Sequence, residues 1–264
     1  MEVVHCPSAR LGPEVVRCFG YRAYLAEPRL RWLVPSGGVK LIFRFGDPLR
    51  SSAGMSVPAR ASAFVVGPKD KPGQTAHAGD VHSMQVQLTP LGGYRLLGVP
   101  MHELSGTAVD LADVLGPAAN RLVERLALTE DWDARFGLLG QVLGADMASG
   151  DPPDPVITWA WRRLCESGGR VPIGELATEI GVSRRHLSRR FQHQIGLPPK
   201  NLARVLRFRR ALRLYGTVPQ QPWSRIAAEC GYYDQAHLNA DFRALAGCGP
   251  TEFMSRSDGF ALPV

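Results

Sequence analysis

Two stretches of the chain carry the same succession of apolar and polar positions. Leu176, Ala177 and Ile180 fall at i, i+1 and i+4 on one stripe of a helix, and Ile226, Ala227 and Cys230 repeat that stripe. Gly181 and Gly231 follow, placed where a sharp exit from a helix demands positive φ. Ser183 and Asp234 then stand where a second helix takes its N-cap. In the first of these second helices Leu187, Phe191 and Gln194 share one face, and Arg185, Ser188, Arg189 and Gln192 the opposite one. The pattern predicts a short helix, a glycine turn and a second helix in each copy, which is the helix-turn-helix plan. Phe191, Gly196 and Pro199 recur at the same offsets as Phe242, Gly247 and Pro250, so the repeated unit is about 50 residues long.

The spacing elsewhere divides the chain. Between the two copies, Leu202, Val205, Leu206, Leu212 and Leu214 interleave with Lys200, Arg204, Arg207, Arg209, Arg210 and Arg213, which predicts a basic amphipathic helix near Pro199 to Tyr215. Gly150 to Pro155, GDPPDP, cannot continue a helix and reads as a linker. Leu111 to Met147 has helical spacing, with Leu122 and Leu126 at i, i+4 and Phe136, Leu139 and Leu143 at i, i+3, i+7. Earlier still, Val39, Leu41, Phe43 and Phe45 alternate with Lys40 and Arg44, and Ala63 to Val66 and Val81 to Leu88 are β-compatible runs between Gly- and Pro-rich punctuation. Short strands at close spacing suggest a small barrel or sandwich. The expected fold is therefore α+β in two domains: a β-rich part over 1–110, a helical connector over 111–149, a linker over 150–155 and an all-α part over 156–264.

Charge sharpens that division. The chain holds 31 basic and 24 acidic side chains. From Pro155 onward they number 16 and 8, leaving 15 and 16 for residues 1–154, so the excess positive charge sits on the repeats. A basic domain beside a near-neutral one is the footprint of a surface that lies against phosphates. Residues 1–30 show no basic stretch followed by an apolar run, and no stretch approaches 18 consecutive apolar residues, so a cytoplasmic location without a membrane partner is expected. Cys6, Cys18, Cys165, Cys230 and Cys248 lack C-x-x-C spacing and support neither a disulfide framework nor a zinc finger.

With these residues in place, the C-terminal part resembles the AraC/XylS-type transcription regulators. The resemblance is carried by GVSRRHLSRRF from Gly181 to Phe191, by Ile226, Ala227, Gly231, Tyr232, Asp234, Gln235, His237 and Phe242, and by Gly247, Pro250 and Phe253. It covers roughly Val156 to Met254. The N-terminal part is similar to the sensor domains of one branch of that family, through LVPSGGVKLIF from Leu33 to Phe43 and LTPLGGYRLLGVP from Leu88 to Pro100. The resemblance implies a cupin-like barrel with trailing helices, an unidentified small-molecule effector, a homodimer, and promoter or operator DNA and RNA polymerase as partners. It also makes Arg185, Ser188 and Arg189 base-facing. Where family members place an arginine aligned with Arg189, this chain has Ala240, and Asp241 beside it is expected to repel the DNA backbone.

Several residues are singled out on chemical grounds. Arg184, Arg185, Arg189 and Arg190 form a cluster without an acidic residue, flanked by Ser183 and Gln192. An arginine at guanine O6 and N7 supplies roughly 1 to 3 kcal/mol of discrimination, whereas Arg184 and Arg190 are expected at phosphates. Gln235 and Asn239 can read adenine edges, Arg243 and Arg207 can meet phosphates, and His237 is expected to cap or pack. Tyr24, Trp32, Phe43 and Phe45 are the candidates for an effector cavity, since aromatic walls with a few polar groups suit small molecules. The leucine and phenylalanine stripe of Leu111 to Met147 is the expected dimer surface. His77, His82 and His102 do not have the spacing of a metal site, and neither a phosphate loop nor a nucleophile elbow occurs, so no enzyme activity, cofactor or metal is expected. An enzyme or DNA-repair protein with a DNA-binding appendage, and a sequestering module that does not bind DNA, are the competing readings.

Overall fold

A computed structural model describes residues 2–6, 12–47, 50–53, 58, 61–217, 221–255 and 260–261. The N-terminal part is built on β1 (Glu2–His5), β2 (Val15–Leu33), β3 (Val39–Arg44), β4 (Arg50–Ala53), β5 (Ala63–Val66), β6 (Gly73–Leu88) and β7 (Ala108–Asp110), joined by β8 (Phe260–Ala261). The strands follow the order β1-β2-β6-β3-β5-β7, with β4 on β6 and β8 on β2. Apart from the parallel β2–β8 pair, these ladders are antiparallel. β1 and β7 end the path, so among the described residues the sheet does not close into a barrel. β2 and β6 form its spine, from Val15 opposite Leu88 to Leu33 opposite Gly73, with a register shift between Leu25 and Arg29. Pro28 lies inside that shift, where its missing N–H does not interrupt a regular ladder.

Alternation gives the sheet two faces. Val39, Leu41 and Phe43 of β3, Ala63 and Val65 of β5, and Met84, Val86 and Leu88 of β6 join one buried core with helices α1 (Pro90–Leu97), α2 (Leu111–Leu115), α3 (Pro117–Leu128) and α4 (Trp132–Ser149). Leu122, Leu126, Phe136, Leu139, Leu143 and Met147 are buried in this core. The stripe expected to bind a second chain is therefore used up within the fold, because the sheet needs an apolar layer to cover it. The strand expected to begin at Val81 begins instead at Gly73, and α1 lies where the sequence pattern alone did not place a helix.

The C-terminal part is helical: α5 (Pro155–Glu166), α6 (Ile173–Ile180), α7 (Arg184–Ile195), α8 (Pro199–Thr217), α9 (Trp223–Cys230), α10 (Gln235–Ala246) and α11 (Pro250–Ser255). It holds two cores. Ile157, Ala160, Leu164, Leu176, Leu187, Phe191 and Leu202 form one, and Leu91 of α1 enters it. Val205, Phe208, Ile226, Cys230, Leu238, Phe242 and Phe253 form the other, which Val34 joins from the loop after β2. Polar bridges add to the docking. The Met101 amide donates to the His193 carbonyl (2.8 Å), Ser105 Oγ to the Gly196 carbonyl (2.5 Å) and Asn201 Nδ2 to Asp70 Oδ2 (2.6 Å). Among the described residues no helix is long and apolar enough to cross a membrane.

Candidate nucleic-acid interface and cavity

The first helix-turn-helix is built as its sequence demands. α6 ends at Gly181, whose φ of 74° is left-handed and strained for a side chain with Cβ. Ser183 Oγ accepts from the His186 amide at 3.2 Å and starts α7. Leu187, Phe191 and Ile195 are buried beneath it. Arg184, Arg185 and Arg189 are exposed, Ser183 is exposed, and Ser188 and Gln192 are half-buried. Arg190 differs from its neighbours. Its guanidinium is ion-paired with Asp154, which also caps α5 by accepting from the Val156 amide at 2.9 Å, while the Asp154 amide donates to Gln194 Oε1 at 3.0 Å. A role for Arg190 at phosphates is thus displaced by an internal one: it fastens α7 to the linker.

The second unit repeats the geometry. α9 ends at Gly231 with φ 78°, and Asp234 Oδ1 accepts from the His237 amide at 2.7 Å. The His237 ring packs edge-on against Tyr232 at 5.2 Å, so of capping and packing it does the second, while its amide donates to the Asp234 cap. Gln235, Ala240 and Arg243 are exposed. Asn239 is half-buried, and its Oδ1 lacks a hydrogen-bond partner among the described residues. Asp241 does not face outward to repel DNA. It is 3% exposed and paired with Arg204 of α8, whose Nη2 and Nε lie 2.8 and 2.9 Å from Oδ1.

The basic helix α8 spends much of its charge internally. Besides Arg204, Arg207 Nη1 donates to the Gly169 carbonyl at 2.9 Å with its guanidinium 5.5 Å from the Tyr232 ring centre, and Arg209 Nη1 donates to the Ser36 carbonyl at 3.0 Å. Lys200 and Arg213 are exposed. The phosphate role expected of Arg207 is corrected accordingly. Arg207→Ala is expected to lower stability by about 1.5 to 3 kcal/mol, the range for a hydrogen bond made by a charged group. The slope of log K against log salt for DNA binding is expected to stay unchanged, because phosphate contacts set that slope. Urea unfolding and a salt titration read the two effects separately.

A cavity of about 130 Å³ opens on the other face of the sheet. Three cross-strand rows line it. Arg17, Gln87, Lys40 and Val66 form the first, Phe19, Gln85, Ile42 and Phe64 the second, and Tyr21, Ser83 and Arg44 the third. Arg31, Leu33, Thr75 and His77, from the far parts of β2 and β6, extend the wall. Burial, with Arg209 and Arg17 close by, pushes the Lys40 ammonium down to about 8. Burial and then Lys40 push Lys69 down to about 8 as well. His77 is lowered to about 4, by burial first and the Arg31 charge second.

None of the four aromatic residues singled out for this role lines the cavity. Tyr24 is 79% exposed. Trp32 packs on the core of α8 to α11, and Phe43 is buried in the core beneath α1 to α4. Phe45 sits against His82 (5.1 Å) and the Arg135 guanidinium (4.7 Å). The error is one of face: strand residues alternate, and the apolar set of β3 covers the helices while Lys40, Ile42 and Arg44 face the cavity. The signal was present in the sequence as cations at every second or fourth position of a buried strand.

Comparison with known proteins adds two domain matches. The model of a helix-turn-helix domain matches residues 176–256, and that of a domain of unknown function (DUF6597) matches residues 4–110. Among solved structures, the chain is similar to ToxT from Vibrio cholerae O395, at 9% identity over 90% of this chain and 96% of that one, with a TM-score of 0.47. The DNA-binding domain of AdpA, in complex with a target DNA, is 26% identical over 41% of this chain and 96% of its own, with a TM-score of 0.34. The C-terminal domain of AraT, a response regulator from Geobacillus stearothermophilus, is 21% identical over 40% and 88%, with a TM-score of 0.37. No curated protein matches the chain. Paired helix-turn-helix units, each with its glycine exit and N-cap, lie behind an antiparallel sheet with trailing helices, and the chain carries a helix-turn-helix domain over residues 176–256.

Proposed function

We propose that the chain reads operator DNA through the open face of α7, with α10 as a weaker second reader, under the control of a small molecule held in the sheet cavity. One observation carries the reading: Arg184, Arg185 and Arg189 project from α7 without an ion-pair partner among the described residues, while the neighbouring Arg190 is engaged by Asp154. Unpaired guanidiniums on a capped, otherwise buried helix fit major-groove bases and phosphates. The direct test measures affinity for a selected operator and for random duplex across salt. Log K for both is expected to fall linearly with log salt, with the operator bound more tightly throughout. Salt-independent affinity, or equal affinity for both duplexes, overturns the reading.

The second reader is under-armed, and this can be repaired. Ala240 is exposed on α10, so Ala240→Arg is expected to leave folding intact and to raise affinity for DNA through a new phosphate or base contact. An unchanged dissociation constant at low salt would show that α10 stays off the duplex. The proposal extends to a homodimer, in which two tethered reader pairs gain through effective concentration, to RNA polymerase as a contact, and to a cytoplasmic setting. Light scattering at micromolar concentration, with and without operator, measures the association.

A further inference from the structure

We infer that the ligand of the sheet cavity is a compact organic anion: a carboxylate on an apolar body about the size of one ring, with its charge at the end formed by Arg17, Lys40 and Lys69. This rests on the effector reading above and narrows it to one chemical class. Among the described residues, the wall of the cavity holds five cationic side chains, Arg17, Arg31, Lys40, Arg44 and Lys69, against one carboxylate, Asp47. Asp47 is already in use, since Oδ2 accepts from the Asp80 amide at 2.8 Å.

Among the described residues, the end of the cavity next to α8 lacks a counter-charge. Lys40 has no hydrogen-bond or ion-pair partner among the described residues, and Lys69 reaches only the Leu33 carbonyl, at 3.3 Å. The two ammonium groups and Arg17 share this end, and Arg209 approaches Lys40 from α8. Like charges gathered in a poorly solvated pocket are unfavourable until an opposite charge joins them. A carboxylate supplies that charge, and Gln87, between Arg17 and Lys40 on the same row, can donate to it as well.

The next row sets the rest of the ligand. Rows on one strand face are two residues apart, about 7 Å. Phe19, Ile42 and Phe64 occupy that position, so the cationic end gives way to an apolar wall. The cavity volume of about 130 Å³ is near the size that takes a benzene ring, and short of a long acyl chain.

The test uses the full chain and named probes: phenylacetate and cyclohexanecarboxylate, each beside its carboxamide, with decanoate as the long-chain acid. Isothermal titration of the parent and of Lys40→Met and Lys69→Met reads binding, and thermal melting shows that each variant folds. The compact acids are expected to bind at least tenfold more tightly than their amides, and each variant to lose at least tenfold for the acids while its amide binding is unchanged. Amides that match their acids overturn the anion and leave the effector reading standing. Decanoate binding more tightly than the compact acids overturns the size. Silence from every acid and amide up to about 10 mM, where even a millimolar dissociation constant gives near-saturation, overturns the compact anion and leaves the broader effector reading standing.

Discussion

Replacing Arg185 or Arg189 by alanine is expected to weaken operator binding by about 1 to 3 kcal/mol each, roughly five- to 150-fold, and to relax preference at one base pair per substitution. Both side chains are exposed on α7, and neither has an ion-pair partner among the described residues, so removing them leaves no buried group behind. The fold should not change. Affinity for random duplex is expected to fall much less, because base-edge contacts contribute little there. Fluorescence anisotropy on the operator and on single-base variants measures both effects. Operator affinity unchanged in both variants would place the reading surface elsewhere. Arg190→Ala supplies the contrast: it removes an ion pair to the linker, and its effect is expected in the melting temperature.

A second large effect is expected from Arg204→Met, this time on stability. Asp241 lies 3% exposed in the second unit, and Arg204 is the cation that balances it. Removing one partner of a buried pair strands the other, which costs about 3 to 5 kcal/mol. Tyr232 supplies no replacement cation. Its hydroxyl is buried without a hydrogen-bond partner among the described residues, and burial, then the nearby Asp241 charge, hold it in the neutral form, so it carries no charge that could balance the carboxylate. The double variant Arg204→Met with Asp241→Leu is expected to recover most of the loss, since an apolar pair of similar volume replaces a buried ion pair at little cost. Chemical denaturation of the three proteins reads this directly. A single variant as stable as the parent would show that water reaches Asp241.

The readers were legible in the sequence because their determinants are local. A glycine exit, an N-cap three residues before the amide it satisfies, and an apolar stripe at helical spacing all lie within one short window at Gly181 to Phe191 and again at Gly231 to Phe242. The fate of the arginines was not legible. Arg190, Arg204 and Arg207 find their partners 36, 37 and 38 residues away, so a charge run that reads as one surface is divided between DNA-facing and internal uses. β2 escaped notice for a related reason. Its nineteen residues include Arg17, Arg22, Arg29 and Arg31, and a strand whose polar side lines a cavity looks like one whose polar side meets water. The same ambiguity sent Phe43 to the wrong face.

The segment joining the two parts of the molecule is less free than its prolines suggest. Asp154 caps α5, pairs with Arg190 of α7 and gives its amide to Gln194, so the last residue before the helical part is fixed at three points to it. A few residues further along α7, the His193 and Gly196 carbonyls are held by Met101 and Ser105 of the N-terminal part. The first reader is therefore splinted from both sides, and wide swinging of one part about the other requires breaking these bonds together. On the proposed reading, a signal from the cavity would have to reach the DNA as a small tilt of α7 and α8 rather than as release of a loose arm. Lengthening the linker is then a poor way to free the readers, whereas loosening Asp154 changes how stiffly they are presented.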